Sequence, residues 1–176
     1  MRTILLAGGA SSRFGSPKSR VCFGDSTLLE RATSSFSEVH LQVVEDTAGG
    51  PVFAIATALE RIHEDVVQIV AVDVPFAAQV LSLLELGSAD AAVPVDSKGQ
   101  PQWLCAVYRV APLRAALRAL DSPVGASMRS LAALLRVEFV ELGDAAKYVI
   151  DVDTPEDLQL ALELLDEPIA GSLDHG

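Results

Sequence analysis

Residues Leu5 to Arg20, LLAGGASSRFGSPKSR, place paired glycines, serines and three cations directly behind a short apolar stretch, in a chain whose formal net charge is -11. Successive glycines let the backbone approach a phosphate closely, and their amides can form an anion-binding nest. Arg13 can fork onto phosphate oxygens, and Lys18 adds a compact charge. The other phosphate motifs fail on spacing. A Walker A loop needs glycine directly before Lys-Ser/Thr, whereas Ser16-Pro17 separate Gly15 from Lys18, and GxGxxG is absent. A flexible loop with solvated cations is the competing explanation, and Gly8-Gly9 alone would favour it. With Arg13 and Lys18 added, the pattern points to a nucleoside triphosphate.

Three carboxylates are the complementary candidates. Asp73 ends the apolar run VVQIVAV. A carboxylate there is costly to bury unless paired or bound to a cation. Facing a triphosphate, it would need Mg2+ between them. Its other reading, equally open, is a cap for the helix that follows. Asp151 and Asp153 form D-x-D after KYVI. On an extended chain both would point to one side and could share a metal. Asp153 could equally do no more than shape the turn into Thr154. His40, His63 and His175 show no triad or ligand spacing, and Ser11 and Ser12 have no base nearby. Cys22 and Cys105 have neither metal-site nor disulfide spacing, as expected of reduced thiols in a cytoplasmic protein.

These groups need a scaffold. The pattern predicts strands at Thr3–Ala7, Val39–Val44, Val66–Val72, Ala91–Val95, Trp103–Arg109, Val137–Leu142 and Lys147–Val152. Helices are expected over Ser26–Phe36, from Pro51 to about His63, after Phe76 to about Leu86, and over Ala111–Leu120 and Ser127–Leu135. The last helix has the clearest start: Thr154-Pro155-Glu156-Asp157 supplies a capping hydroxyl, a proline at the first helical position and an acid three residues after the cap. Alternating strands and helices predict a Rossmann-like three-layer α/β/α domain over residues 1–166 with a mostly parallel, mixed central sheet, then a flexible tail over 167–176. Ligands of such sheets bind beyond the carboxyl ends of the strands, so the glycine loop, Asp73 and Asp151/Asp153 should converge. The acidic balance argues against nucleic acid, and no apolar run approaches a membrane span.

The opening segment resembles the signature of nucleotidyltransferases with an L-A-G-G-x-S-x-R-x-G-x-x-K loop. The wider chain resembles the molybdenum cofactor guanylyltransferases. VVED (Val43 to Asp46), GPVFAIATAL (Gly50 to Leu59), VAVDVPF (Val70 to Phe76), QPQWLCAVYR (Gln100 to Arg109) and YVIDVDTPEDL (Tyr148 to Leu158) match that family's segments in order. The resemblance implies the nucleotide-diphospho-sugar transferase fold, with transfer of GMP from GTP to molybdopterin and release of pyrophosphate. It further implies backbone contacts from Leu6, Ala7, Gly8 and Gly9 to guanine and ribose, with Arg13 and Lys18 on the triphosphate. Asp73 would hold Mg2+, Asp46 would lie near the nucleoside, and Asp151 and Asp153 would stand at the metal or cofactor side. Proteins that deliver or receive the cofactor are the implied partners. Another phosphorylated acceptor, or nucleotide binding without turnover, are the alternatives. The chain departs from the family at Phe53-Ala54, at Trp103 and in a short segment before the GGP turn. Asp151 and Asp153 stand where part of the family has asparagine.

Overall fold

The computed structural model describes residues 1–8, 17–37, 41–45 and 48–165. Its frame is a sheet of six strands: β1 (Arg2–Leu6), β4 (Leu41–Val44), β5 (Val66–Ala71), β6 (Ala91–Val95), β7 (Cys105–Arg109) and β8 (Val137–Glu141). Across the sheet their order is β4-β1-β5-β7-β6-β8, and a separate hairpin joins β2 (Cys22–Phe23) to β3 (Ser26–Thr27). β4, β1 and β5 pair in parallel, as do β6 and β8, and β7 runs antiparallel to both of its neighbours. The central strands are apolar because both faces are covered. Ile4, Leu6, Val67 and Ile69 point into one core with helices α2 (Pro51–Leu59), α4 (Val110–Ala119) and α5 (Met128–Ala132). Leu5, Val70, Cys105 and Val107 point into the other, with α1 (Leu28–Ser34), α3 (Ala77–Ser82) and α6 (Pro155–Leu165). No helix among the described residues is long and apolar enough to cross a membrane.

The expected elements are present with two differences of kind. Lys147–Val152 is not a strand. A 3-10 helix, Gly143–Tyr148, occupies its start, and residues 149–153 run on without pairing to the sheet. Val149 and Val152 are buried in the second core, so their apolar pattern reflects packing beneath α6 rather than a ladder. The second difference is the β2–β3 hairpin, whose second strand, Ser26–Thr27, takes the start of the helix expected over Ser26–Phe36. Gly24 turns it with φ of 61°. Several helices are also shorter than predicted: α2 stops at Leu59 and α3 at Ser82.

The predicted cap of α6 forms, and α1 carries one of the same kind. At α6, Asp157 Oδ2 accepts from the Thr154 amide at 2.9 Å and its hydroxyl at 2.8 Å, while the Asp157 amide donates back to Thr154 Oγ1 at 3.1 Å. Thr27 and Glu30 make a capping box on α1.

Candidate active site

The residues that leave β1 and β5, Ala7 and Val72, lie side by side because the ladder continues past both strands. The Ala7 amide donates to the Val44 carbonyl at 2.9 Å, and the Val72 amide donates to the Leu6 carbonyl at 3.0 Å. Leu6 and Ala7 are themselves buried. The Leu6 carbonyl and the Ala7 amide are thus engaged in the sheet, and Gly8 carries the first amide beyond this ladder. Gly9, Arg13 and Asp46 lie outside the described residues, as do Ser11, Ser12, His40, His175 and the 167–176 tail.

Lys18 is anchored from behind. Pro17 leads into a 3-10 turn, Lys18–Arg20, whose Val21 amide returns to the Lys18 carbonyl at 3.0 Å. Val21 and Phe23 are buried beyond it. From this base the Lys18 ammonium donates to Asp73 Oδ2 at 2.5 Å and to Asp153 Oδ1. The pairing bears on whether either acid caps a helix. Asp73 does not cap α3, whose N-cap is Phe76 without a side-chain bond. Asp153 does not cap α6 with its side chain, since Asp157 supplies that carboxylate and also accepts from the Asp153 amide at 3.2 Å.

A backbone bond between distant segments also brings the acids to one place. The Val152 amide donates to the Asp73 carbonyl at 2.9 Å, clamping the segment after the 3-10 helix onto the end of β5. Asp151 and Asp153 then line one cleft of about 350 Å³, together with Asp96, Lys98 and Gln102 of the β6–β7 turn. Their shared side thus arises without a strand. Asp73 and Lys18 are 16% and 20% exposed at the side chain, against 51% for Asp153, so the first pair is the better shielded.

Charge in this cluster is unbalanced. Burial pushes the Asp151 carboxyl up to about 7, and the Asp73 and Asp153 charges add to the effect while Lys18 opposes it. Burial also works against the Lys18 ammonium, yet Asp73 and the bonds from both acids outweigh it and hold Lys18 above its ordinary value. Among the described residues, no group of three or more His, Cys, Asp or Glu side chains is arranged to hold a metal. Mg2+ does not require one. It is commonly bound by one or two carboxylates, with substrate phosphates and waters completing the shell. Asp73 and Asp153, already sharing one cation, are a donor pair of that kind.

Arg31 holds the wall of the site, a role its spacing does not signal. Its guanidinium lies 4.9 Å from the Phe23 ring centroid and 5.3 Å from that of Phe76. Its Nε donates to the Pro75 carbonyl at 2.9 Å. It thereby joins the Lys18 hairpin to the turn after Asp73. No sequence pattern marks such an arginine, because Pro75 and Phe76 come from a distant segment. The family departures are placed as well. Phe53 folds onto Gly49, where a Cβ would come within 2.5 Å of the ring. Gly50 follows with φ of 88° and opens α2 at Pro51. Trp103 lies outside the acidic cleft, edge-to-face on Phe139 with ring centroids 5.7 Å apart.

A family profile described as MobA-like NTP transferase domain matches residues 3–44 and 36–142. The chain belongs to this family. The MobA-like chain is 33% identical over 138 residues to a probable molybdenum cofactor guanylyltransferase of Bacillus subtilis (strain 168), covering 62% of this chain and 68% of that protein. It is 31% identical over 185 residues to a protein of the same description from Bacillus cereus (strain ATCC 10987 / NRS 248), covering 88% and 92%. Among solved structures it is similar to molybdopterin-guanine dinucleotide biosynthesis protein A from Archaeoglobus fulgidus. The TM-score is 0.72 at 21% identity, over 94% of this chain and 98% of that one. It is also similar to 2-C-methyl-D-erythritol 4-phosphate cytidylyltransferase from Thermus thermophilus, with TM-score 0.63 at 21% identity, over 92% and 97%. The MobA-like chain therefore has the nucleotide-diphospho-sugar transferase fold, which serves enzymes using different bases.

Proposed function

We propose that this chain is a molybdenum cofactor guanylyltransferase, transferring GMP from GTP to a terminal phosphate of molybdopterin. The observation that carries the reading is the Lys18 ammonium shared by Asp73 and Asp153 at the carboxyl end of β5, the strand paired with β1. The description carried by the Bacillus relatives supplies the acceptor and the base.

In the reaction, an oxygen of the acceptor phosphate attacks the α-phosphorus of GTP in line. A new P–O bond forms as the bond to the β-phosphate oxygen breaks, and pyrophosphate leaves with the electron pair. Such a step asks the protein for positioning and charge stabilisation rather than covalent chemistry. We assign Gly8 and Gly9 to backbone contact with the nucleotide, beginning where the sheet's own bonds end, and Asp46 to the nucleoside. Arg13 and Lys18 would meet the triphosphate, with Lys18 neutralising charge on the departing pyrophosphate. Asp73 and Asp153 would hold Mg2+, which when bound neutralises charge on the attacked phosphate. Asp151, one residue from the clamp at Val152, faces the cleft that the acceptor would enter. The substrates are small molecules met in the cytoplasm.

The test is equilibrium binding of GTP, ATP, CTP and UTP with and without Mg2+, followed by transfer of labelled GMP to molybdopterin. Preference for GTP, strengthened by Mg2+, is expected. Failure to bind any nucleotide would overturn the reading, and GTP binding without transfer to molybdopterin would reassign the acceptor.

A further inference from the structure

The Lys18 ammonium stands between the two carboxylates that a divalent cation would have to share. We propose that Lys18 and the divalent cation are alternative occupants of one position. Nucleotide-free protein keeps its acids assembled around the lysine, and metal enters together with nucleotide. This rests on the reading that Asp73 and Asp153 are the metal-binding pair.

The argument is geometric and electrostatic. Lys18 uses oxygens of both acids, and a Mg2+ ion at its usual distance of about 2.1 Å from oxygen would overlap the ammonium held there. Two cations in contact at a shielded site also repel strongly. One must leave. Asp73 has no other side-chain partner among the described residues, so loss of Lys18 without replacement would leave a carboxylate of 16% exposure uncompensated.

Lys18 can move without unfolding its anchor. Its backbone is fixed by the 3-10 turn and the buried Val21, while the four-carbon stem is free to redirect the head. An ammonium has three donors, and the two acids use two of them. A phosphate placed beside the pair can engage the third donor before the others are released. The charge balance points the same way. Asp73 and Asp153 share the one Lys18 ammonium, so the pair carries more negative charge than the single cation it holds cancels. A permanent structural ion pair would not need that excess. A dication arriving with a polyanion uses it, and takes Lys18's place as Lys18 takes up the phosphate. Metal and nucleotide should accordingly bind with positive coupling, each weak alone.

The experiment is Mn2+ binding to nucleotide-free protein, read by calorimetry or by the paramagnetic signal of free Mn2+. The proteins are the full chain, Lys18→Met, Lys18→Arg and Lys98→Met. Lys98 lines the same cleft, so its loss changes net charge equally without vacating the acid oxygens. Lys18→Met should bind Mn2+ about tenfold tighter than the parent chain, and its gain in Mn2+ affinity on adding GTP should shrink correspondingly. Lys98→Met should change affinity by no more than about threefold. Lys18→Arg keeps a cation on the acids and should bind Mn2+ no better than the parent.

Equal gains in Lys18→Met and Lys98→Met would reduce the effect to net charge and overturn the proposal. So would a gain in Lys18→Arg, or weaker binding in Lys18→Met. If no variant binds Mn2+ while GTP still binds, the metal pair is wrong and this inference falls with it, leaving nucleotide recognition standing. If Mn2+ binds as expected but no nucleotide does, the proposed reaction falls and the competition at Lys18 remains.

Discussion

Two aspartate clusters on opposite sides of the sheet's midline use the same chemistry to different ends. At the β8 side, Asp90 meets one arginine. Arg136 donates to both carboxylate oxygens, at 2.8 and 3.2 Å, and its backbone amide adds a third bond at 3.0 Å. Those bonds hold the Asp90 carboxyl below its ordinary value, with the Arg109 charge adding to the effect, so this acid is fully offset by cations of the chain. At the β1–β5 side, Asp73 and Asp153 share the Lys18 ammonium, and burial, with the Asp73 and Asp153 charges, drives the Asp151 carboxyl up to about 7. A pair that only joins elements reaches neutrality within the chain. A cluster that leaves net negative charge under partial burial is incomplete until a cation arrives, which is why perturbed groups in a cleft mark candidate sites.

The contrast can be tested by removing charges from each side. Asp73→Asn should have the largest effect, lowering GMP transfer by about 10³-fold in kcat, as expected for loss of a group that organises transition-state charge. Steady-state kinetics at saturating GTP would measure it, and unchanged turnover would return Asp73 to a structural role. Lys18→Ala should lower kcat by about 10²-fold while GTP affinity changes by less than about threefold. Equal losses in both would mean that Lys18 serves ground-state binding only.

Arg31→Met tests the wall rather than the charges. Losing the bond to Pro75 and the contacts with Phe23 and Phe76 should cost about 2 kcal/mol in chemical denaturation. Activity should fall with it if the wall aligns Asp73 with Lys18.

Asp151→Asn should do the opposite to stability. Between the ordinary carboxyl value of 3.8 and the folded value of about 7, the folded chain holds a proton that the unfolded chain has released. Stability contributed by this group therefore falls as pH rises through that window. In EDTA, the substitution should raise the melting temperature at pH 8 and have little effect at pH 4; equal shifts at both pH values would mean that charge is not the cause. The smallest effect is expected at the balanced pair. Asp90→Asn should lower the melting temperature by about 2 °C at neutral pH, because Arg136 is largely solvent-exposed. This contribution has the opposite pH dependence, since the depressed Asp90 value makes it disappear as pH falls through that value. A larger loss at Asp90 than at Asp73 in stability would be compatible with the contrast; a larger loss in turnover would break it.

Local chemistry makes much of this legible. Apolar runs mark β1, β5 and β6, and Thr154 with Asp157 announces the start of α6 because a cap is a short-range bond. The acids at strand ends are visible for the same reason: a charge that interrupts an apolar run stands out wherever the run is placed. Lys147–Val152 reads as a strand because alternating apolar residues bury equally well under a helix as in a ladder, and only the absence of a neighbouring strand distinguishes the two. Arg31 is invisible to such reading because Pro75 and Phe76, which it ties to the hairpin, lie in a segment far from it in the chain.

The sequence by itself determined most of the strands and helices in their order, apart from the β2–β3 hairpin and the segment Lys147–Val152, together with the glycine-rich motif and the supply of Lys18, Asp73, Asp151 and Asp153. It did so because periodicity, capping and charge act over a few residues. Only the tertiary structure decided that Lys18 lies between Asp73 and Asp153, that neither acid caps a helix, and that their excess charge falls on Asp151. Those outcomes depend on the Val152–Asp73 clamp and the Arg31 bridge, contacts between segments far apart in the chain whose energy exists only once both are folded.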